Sequence, residues 1–495
     1  MRASFLLLLV LALPAAAFAH VGSPDVYYEG NAGPYHLLVT IRPPAVVPGV
    51  AEIEVRNLDP GGAIDKIQIL PLTVGGTGES LAPRPDTMQQ SANDPQLYIG
   101  NLWIMLRGSW KVRVQIEGKQ GGGDVSVPVT AVSLTAPHMD KQIGLMLGGF
   151  GLVLLVGLVG ILLAANGPAQ VAPKQGISPA LKRRSIIGMS VGSAILLATL
   201  IAGNWWWNAE AKTNDSMVYR LPQLEASLQP GDKIQVRLEN PNAGSFAKGS
   251  DWQNFWAQAL QANDLVPDHG HLMHLFLVRM PDMKSFWHLH PDREGDQDFV
   301  ANLPAVPAGH YQIYADIVHA TGFAETEVGI LDLPASFGQA LSGDDSGNAS
   351  LTAADNVVQL SNGYRMVWRR DNQPLHSQQA VVFRFQIEDK DGKPAGDLES
   401  YMGMAGHAVF MSDDGKVFAH VHPEGSISMA ALAMAQASDN PGSNTPNAMA
   451  AMKMPVSAEV SFPYGFPQPG DYHIFVQVKQ AGHIETGAFQ AHVEK

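Results

Sequence analysis

Two stretches of this chain place histidines in nearly the same order. Residues 264–291 read DLVPDHGHLMHLFLVRMPDMKSFWHLHP, and residues 397–423 read DLESYMGMAGHAVFMSDDGKVFAHVHP. In each, a His follows an Asp-Leu pair by ten residues, an acidic turn with Met comes next, and the stretch closes on His-x-His-Pro. This singles out His274, His288 and His290, then His407, His420 and His422. Imidazole is the commonest metal-ligating side chain. The chain has no Cys, so thiolate ligands, disulfides and Cys nucleophiles are all excluded.

The spacing carries geometry. Alternate residues of a strand share a face about 6.6 Å apart. His288 and His290 can therefore converge on one ion, at about 2.0–2.1 Å from each nitrogen. Pro291 lacks an N–H and should end that strand. His274 lies on the preceding strand, and a hairpin would set it opposite the pair. His407, His420 and His422 should repeat the arrangement. A further His-x-His, His269 and His271, occurs in the first stretch alone. Imidazole suits copper, zinc and nickel, and thioethers favour Cu(I). Met402 and Met404 stand just before His407, and more Met dots residues 425–455, so copper is the expected ion. The competing reading makes these histidines hydrogen-bonding buttresses of the sandwich, and the Ala/Met-rich segment a part-helical loop.

The N-terminus reads as an export signal over residues 1–19, with Arg2, an apolar run from Phe5 to Leu13, and Ala17-Phe18-Ala19 before the cut. Cleavage there would leave His20 first, its amine and imidazole forming a natural Cu(II) chelate to which His36 could add. Residues 143–165 and 186–207 are apolar enough to span a bilayer, with Trp205, Trp206 and Trp207 suited to the interfacial belt. Residues 166–185 hold Lys174, Lys182, Arg183 and Arg184 and no acid, which marks them as a cytoplasmic loop. Both flanking regions are then expected on the periplasmic side of a bacterial inner membrane. Gly144/Gly148 and Gly188/Gly192 offer small-residue faces for close helix packing. Gly188 to Gly192 also matches a nucleophile elbow, but inside an apolar span that motif lacks its strand-turn-helix context.

Period-two alternation with Pro and Gly punctuation predicts a mainly β protein of three Ig-like or β-sandwich modules, over 20–136, 208–334 and 355–495, with 335–354 as a linker. The third repeats the second: Ala308 to Tyr314 (AGHYQIY) parallels Pro469 to Phe475 (PGDYHIF), so the likeness spans most of a domain. A net charge of −14 argues against nucleic-acid partners. No catalytic constellation stands out, so the chain is read as no enzyme. Asp282, Asp292 and Asp413 are candidates to orient the imidazoles by accepting a hydrogen bond from the ring N–H opposite the metal.

The first module resembles YtkA-like and FixH-like exported domains, through Tyr98, Ile99, Gly100, Met105 and the run from Gly108 to Val114. The second and third resemble Ig-like periplasmic domains associated with heavy-metal and copper handling, through His274, His288, His290 and Pro291, and Gly403, Gly406, His407, His420, His422 and Pro423. The resemblance covers the outer modules and fits a role in copper handling; with the two spans and the duplicated His motif, the chain is expected to be a membrane-anchored protein that binds or relays copper, with a metal transporter or cuproprotein as partner. Two alternatives stay open: a scaffold for a membrane transporter or oxidase with structural His, and a copper redox enzyme centred on His20.

Overall fold

The computed structural model describes residues 25–59, 62–74, 82–137, 139–166, 176–216, 218–219, 223–239, 264–336, 338–347, 350–351, 356–371, 373–437, 439 and 456–495. The expected signal segment and His20 lie outside the described residues. So do Met449, Met452 and Met454. Two compact units emerge, one of Met1–Ala131 with Arg220–Lys495, the other of Val132–Tyr219. The chain is mainly β, as its alternation predicts: three sandwich modules form the first unit.

In the first module a five-stranded sheet, built on Val26–Ala32, Tyr35–Arg42, Gly49–Asn57 and Leu97–Ile104, covers a four-stranded one built on Ile64–Thr73, Gly108–Gly118 and Gly121–Ala131. Alternation does the sorting. In Gly49–Asn57, Ala51, Ile53 and Val55 are buried while Glu52 faces solvent, so one face meets Ile69, Val114 and Val127 across the core.

The second module is a single eight-stranded sheet whose two end strands, Phe286–Leu289 and Asp292–Arg293, are consecutive in the chain. The sheet therefore folds over on itself around a core that includes Leu275, Leu277, Phe299 and Ile313. Pro291 falls in the gap between those end strands, as its missing N–H requires. The third module sets a sheet built on His407–Ser412, Phe418–Val421, Gly470–Gln480 and His483–Glu494 over a four-stranded sheet.

The second and third modules meet face to face. Strand His274–Met280 sends Leu275 and Leu277 into its own core, and Phe276 and Val278 out against Val409, Met411, Phe418 and Phe475 of its neighbour. His407–Ser412 does the same, with Ala408 and Phe410 inward and Val409 and Met411 outward. Strands buried on both faces read as continuous apolar runs, which accounts for HLFLV and HAVFM. The segment 425–455 carries a helix, Met429–Ala437. Leu432 from this helix and the preceding Ile427 are seated in the first module's core.

The second unit holds helices Lys141–Asn166 and Pro179–Ser216, both long and apolar enough to cross a membrane. Asp140 caps the first, accepting from the N–H groups of Gln142 and Ile143 at 2.8 and 3.2 Å. Ser178 caps the second through the Leu181 N–H at 3.2 Å, with Pro179 at its first position. The second helix starts before the expected span, taking in Arg183 and Arg184. A side chain added at Gly192 would meet Leu162 at 3.2 Å, whereas one at Gly148 would meet nothing within 4 Å. The contact is thus not the symmetric Gly-face packing the motifs suggest.

Candidate metal centre

The inter-module face carries the histidines. His274 shares the outward face of its strand with Phe276 and Val278. His288 stands opposite Phe276 in the antiparallel pair, so it points the same way. His407 lies on the face of Val409 and Met411, and His420 stands opposite Val409. Two hairpins aimed at each other bring both sets into one cluster. His269 and His271 join it from the turn before His274.

Within the cluster the nitrogens fall into two groups of three: His274, His288 and His290, all from the second module, and His269, His407 and His422, which mix the two modules. In each, one nitrogen per ring lies within 4.8 Å of the others. The remaining nitrogens fix the tautomers. In the first group, His274 Nε2 is 3.1 Å from the Asp268 carbonyl, His288 Nδ1 is 2.9 Å from Gln477 Oε1, and His290 Nδ1 is 3.1 Å from Asp345 Oδ1. All three partners are acceptors, so each of these nitrogens carries the proton. His274 Nδ1 and His288 Nε2 then face each other at 3.0 Å as two lone pairs. Neutral rings cannot hydrogen-bond in that arrangement, but a cation between them satisfies both. Nε2 of His290 is buried without a partner.

The mixed group follows the same rule. His269 Nδ1 lies 3.2 Å from the Met402 carbonyl and His422 Nδ1 lies 3.0 Å from the Ile427 carbonyl. That leaves the Nε2 of each, and both nitrogens of His407, buried without a hydrogen-bond partner, His269 Nε2 lying 3.9 Å from Asp268 Oδ1. A ligating imidazole that gives its other N–H to a carbonyl or carboxylate is the usual architecture of a histidine metal site. A buried polar atom left unpaired costs about 1–3 kcal/mol, a cost that a metal ion held by these nitrogens would offset.

Electrostatics agree. Burial holds the ring pKa of His274, His288, His407 and His422 well below the ordinary value, and neighbouring imidazoles add to the effect. Burial also lowers His269 and His290, and pushes His420 down to about 3. The rings are therefore neutral and ready to ligate. His420 sits between the groups, its Nδ1 3.2 Å from Asp316 Oδ2; burial raises that carboxyl to about 7. His271 is on the rim, 3.3 Å from Asp344, its ring centroid 4.0 Å from that of His290 with the planes inclined by 32°.

Several expectations about supporting residues need correction. Asp282 pairs with Arg279 rather than with an imidazole. Asp413 does hold a ring, but that of His473, at 3.0 Å. Among the described residues, Asp292 pairs with no imidazole. Met402 reaches the cluster through its carbonyl oxygen, and Met404 is buried in the same turn. The segment expected as a linker is instead part of the centre. Asp344 accepts from His271 and, through its carbonyl, from the Tyr401 hydroxyl at 2.9 Å; Asp345 also takes the His290 N–H at 2.9 Å. Ser346 donates its N–H to the His288 carbonyl at 2.9 Å. His36, for its part, pairs with Glu29 at 3.3 Å.

Residues 358–495 match a family described as "Domain of unknown function (DUF8832)". No curated protein matches the chain in sequence. Among solved structures, the Escherichia coli adhesin FdeC aligns over 96% of this chain and 98% of its own, at 9% identity and a TM-score of 0.14. Elastase-activated Escherichia coli alpha-2-macroglobulin aligns over 92% of this chain and 31% of its own, at 10% identity and a TM-score of 0.18.

Proposed function

We propose that this chain is an inner-membrane-anchored periplasmic protein that binds or relays copper through the histidine cluster between its second and third modules. The observation that carries the reading is the convergence of buried imidazole nitrogens without hydrogen-bond partners, on rings whose opposite nitrogens, His407 excepted, are committed to an acceptor. Copper heads the divalent affinity series for nitrogen ligands; zinc and nickel suit imidazole as well. The two long apolar helices, the basic stretch between them and the export-like N-terminus support the placement. The likeness to YtkA-like and copper-associated domains fits the same role, with a metal transporter or cuproprotein as partner and no chemistry of its own. The test is copper titration of the full chain in mild detergent against a His288→Ala/His407→Ala variant. Tighter binding by the unaltered chain is expected; equal, weak binding by both removes the reading. Elemental analysis of protein from native membranes identifies the ion.

A second reading, a scaffold for a transporter or oxidase, draws on an exposed apolar patch of the first module. Val50 and Trp103 are cross-strand partners there, 43% and 63% exposed, followed by Met105 and Leu106. It predicts a complex in mild detergent that survives a chelator.

A further inference from the structure

We infer that the cluster is two adjacent ion sites rather than one, the first made by His274, His288 and His290, the second by His269, His407 and His422. This rests on the metal-binding reading above.

The hydrogen bonds divide the ligands. Each ring has one nitrogen spent on its own acceptor, or in His407 none, and the lone pairs that remain gather in two groups with no ring in common. Across the divide the rings stay apart: His269 and His274 centroids are 6.0 Å distant, and His288 and His407 are 6.4 Å distant. His420 lies on the border. Its centroid is 5.3 and 5.6 Å from His274 and His288, and 5.4 and 4.5 Å from His407 and His422. Its Nε2 is buried without a partner. It is thus the ring placed to serve either ion as a further ligand.

The sites differ in how they are assembled. The ligands of the first come from one module, and their tautomers are held by Gln477 of the third module and by Asp345. The second does not exist until the modules dock, since His269 comes from one and His407 and His422 from the other. Two of its rings, His269 and His422, are held by backbone carbonyls, those of Met402 and Ile427. An ion there bridges the two sandwiches.

The experiment uses the full chain in detergent with His20→Ala, so that a terminal chelate is not counted. It is loaded with excess copper(II) sulfate, desalted, and measured by elemental analysis and electron paramagnetic resonance. Two coppers per chain are expected, with spectra broadened by mutual coupling. His290→Ala and His422→Ala should each retain one copper, with the spectrum of an isolated ion, and that retained ion reports an intact fold. One copper per chain without the substitutions overturns the two-site arrangement and leaves the metal-binding reading standing. Two uncoupled coppers overturn it too. No retained copper removes both.

Discussion

Gln477 of the third module holds the ring of His288 of the second, its Oε1 2.9 Å from Nδ1. Its NH₂ donates to the hydroxyls of Ser346 and Thr486. Gln477→Leu should lower copper affinity about ten- to a hundredfold, the usual cost of losing such an outer partner. The Tyr401 hydroxyl, 3.4 Å from the same nitrogen, is a weaker substitute acceptor, so adding Tyr401→Phe should deepen the loss. Competition against a copper chelator measures both; unchanged affinity would show that His288 is no ligand.

Phe286 and Phe475 stack across the module boundary with centroids 4.2 Å apart and planes 13° from parallel. Removing one buried aromatic ring costs about 3–5 kcal/mol. Phe286→Ala should therefore lower the melting transition of the two modules together, and should weaken the ion site shared between them. Thermal melts with and without copper test this: equal copper-induced stabilisation in variant and unaltered protein would contradict it.

His319 supplies a pH dependence away from the cluster. Burial alone would lower its pKa, but the hydrogen bonds its ring donates to Asp264 at 2.7 Å and Glu325 at 2.9 Å override it and raise the value to about 9. The unfolded value is about 6.5. The folded state thus holds a proton that the unfolded state releases between those pH values. The stabilisation is fully present below about 6.5 and is lost as pH rises through 9. Urea unfolding should show unaltered protein and His319→Gln far apart at pH 6 and close together at pH 10. A constant gap would mean that the ring is neutral in the fold.

Gly425 sits at φ +135°, and a Cβ there would fall 1.8 Å from the Tyr27 carbonyl oxygen. That carbonyl accepts from the Ser426 N–H at 3.0 Å, and the neighbouring Glu29 N–H donates to the Glu424 carbonyl at 2.8 Å. Gly425→Ala should break this seam between the first and third modules and cost about 1–3 kcal/mol. Limited proteolysis reads it directly, as faster cutting of the strand Val26–Ala32.

Much of this was legible in the residues. Alternation in AEIEVR and KVRVQIE marks half-buried strands, and the doubled DL…H…HxHP pattern marks the hairpins that carry His274, His288, His407 and His420. What escaped reading was the docking of the two modules. Its signal was available: HLFLV and HAVFM have no polar alternate positions, so both faces of each strand need cover. The supporting shell was less legible, because Asp345 and Gln477 are distant in sequence from the rings they hold. Such residues act through a single atom, and spacing rules register only side chains that repeat. Asp344, Asp345 and Ser346 sit in a Gly/Ser-rich stretch whose composition says connector while its position supplies acceptors.

Ile427 performs two tasks at once: its carbonyl tethers His422, and its side chain is embedded in the first module's core. Any displacement of that outer sandwich pulls first on this one ligand. Whatever docks on the first module would therefore hold a mechanical handle on how firmly an ion bound beside His422 is gripped.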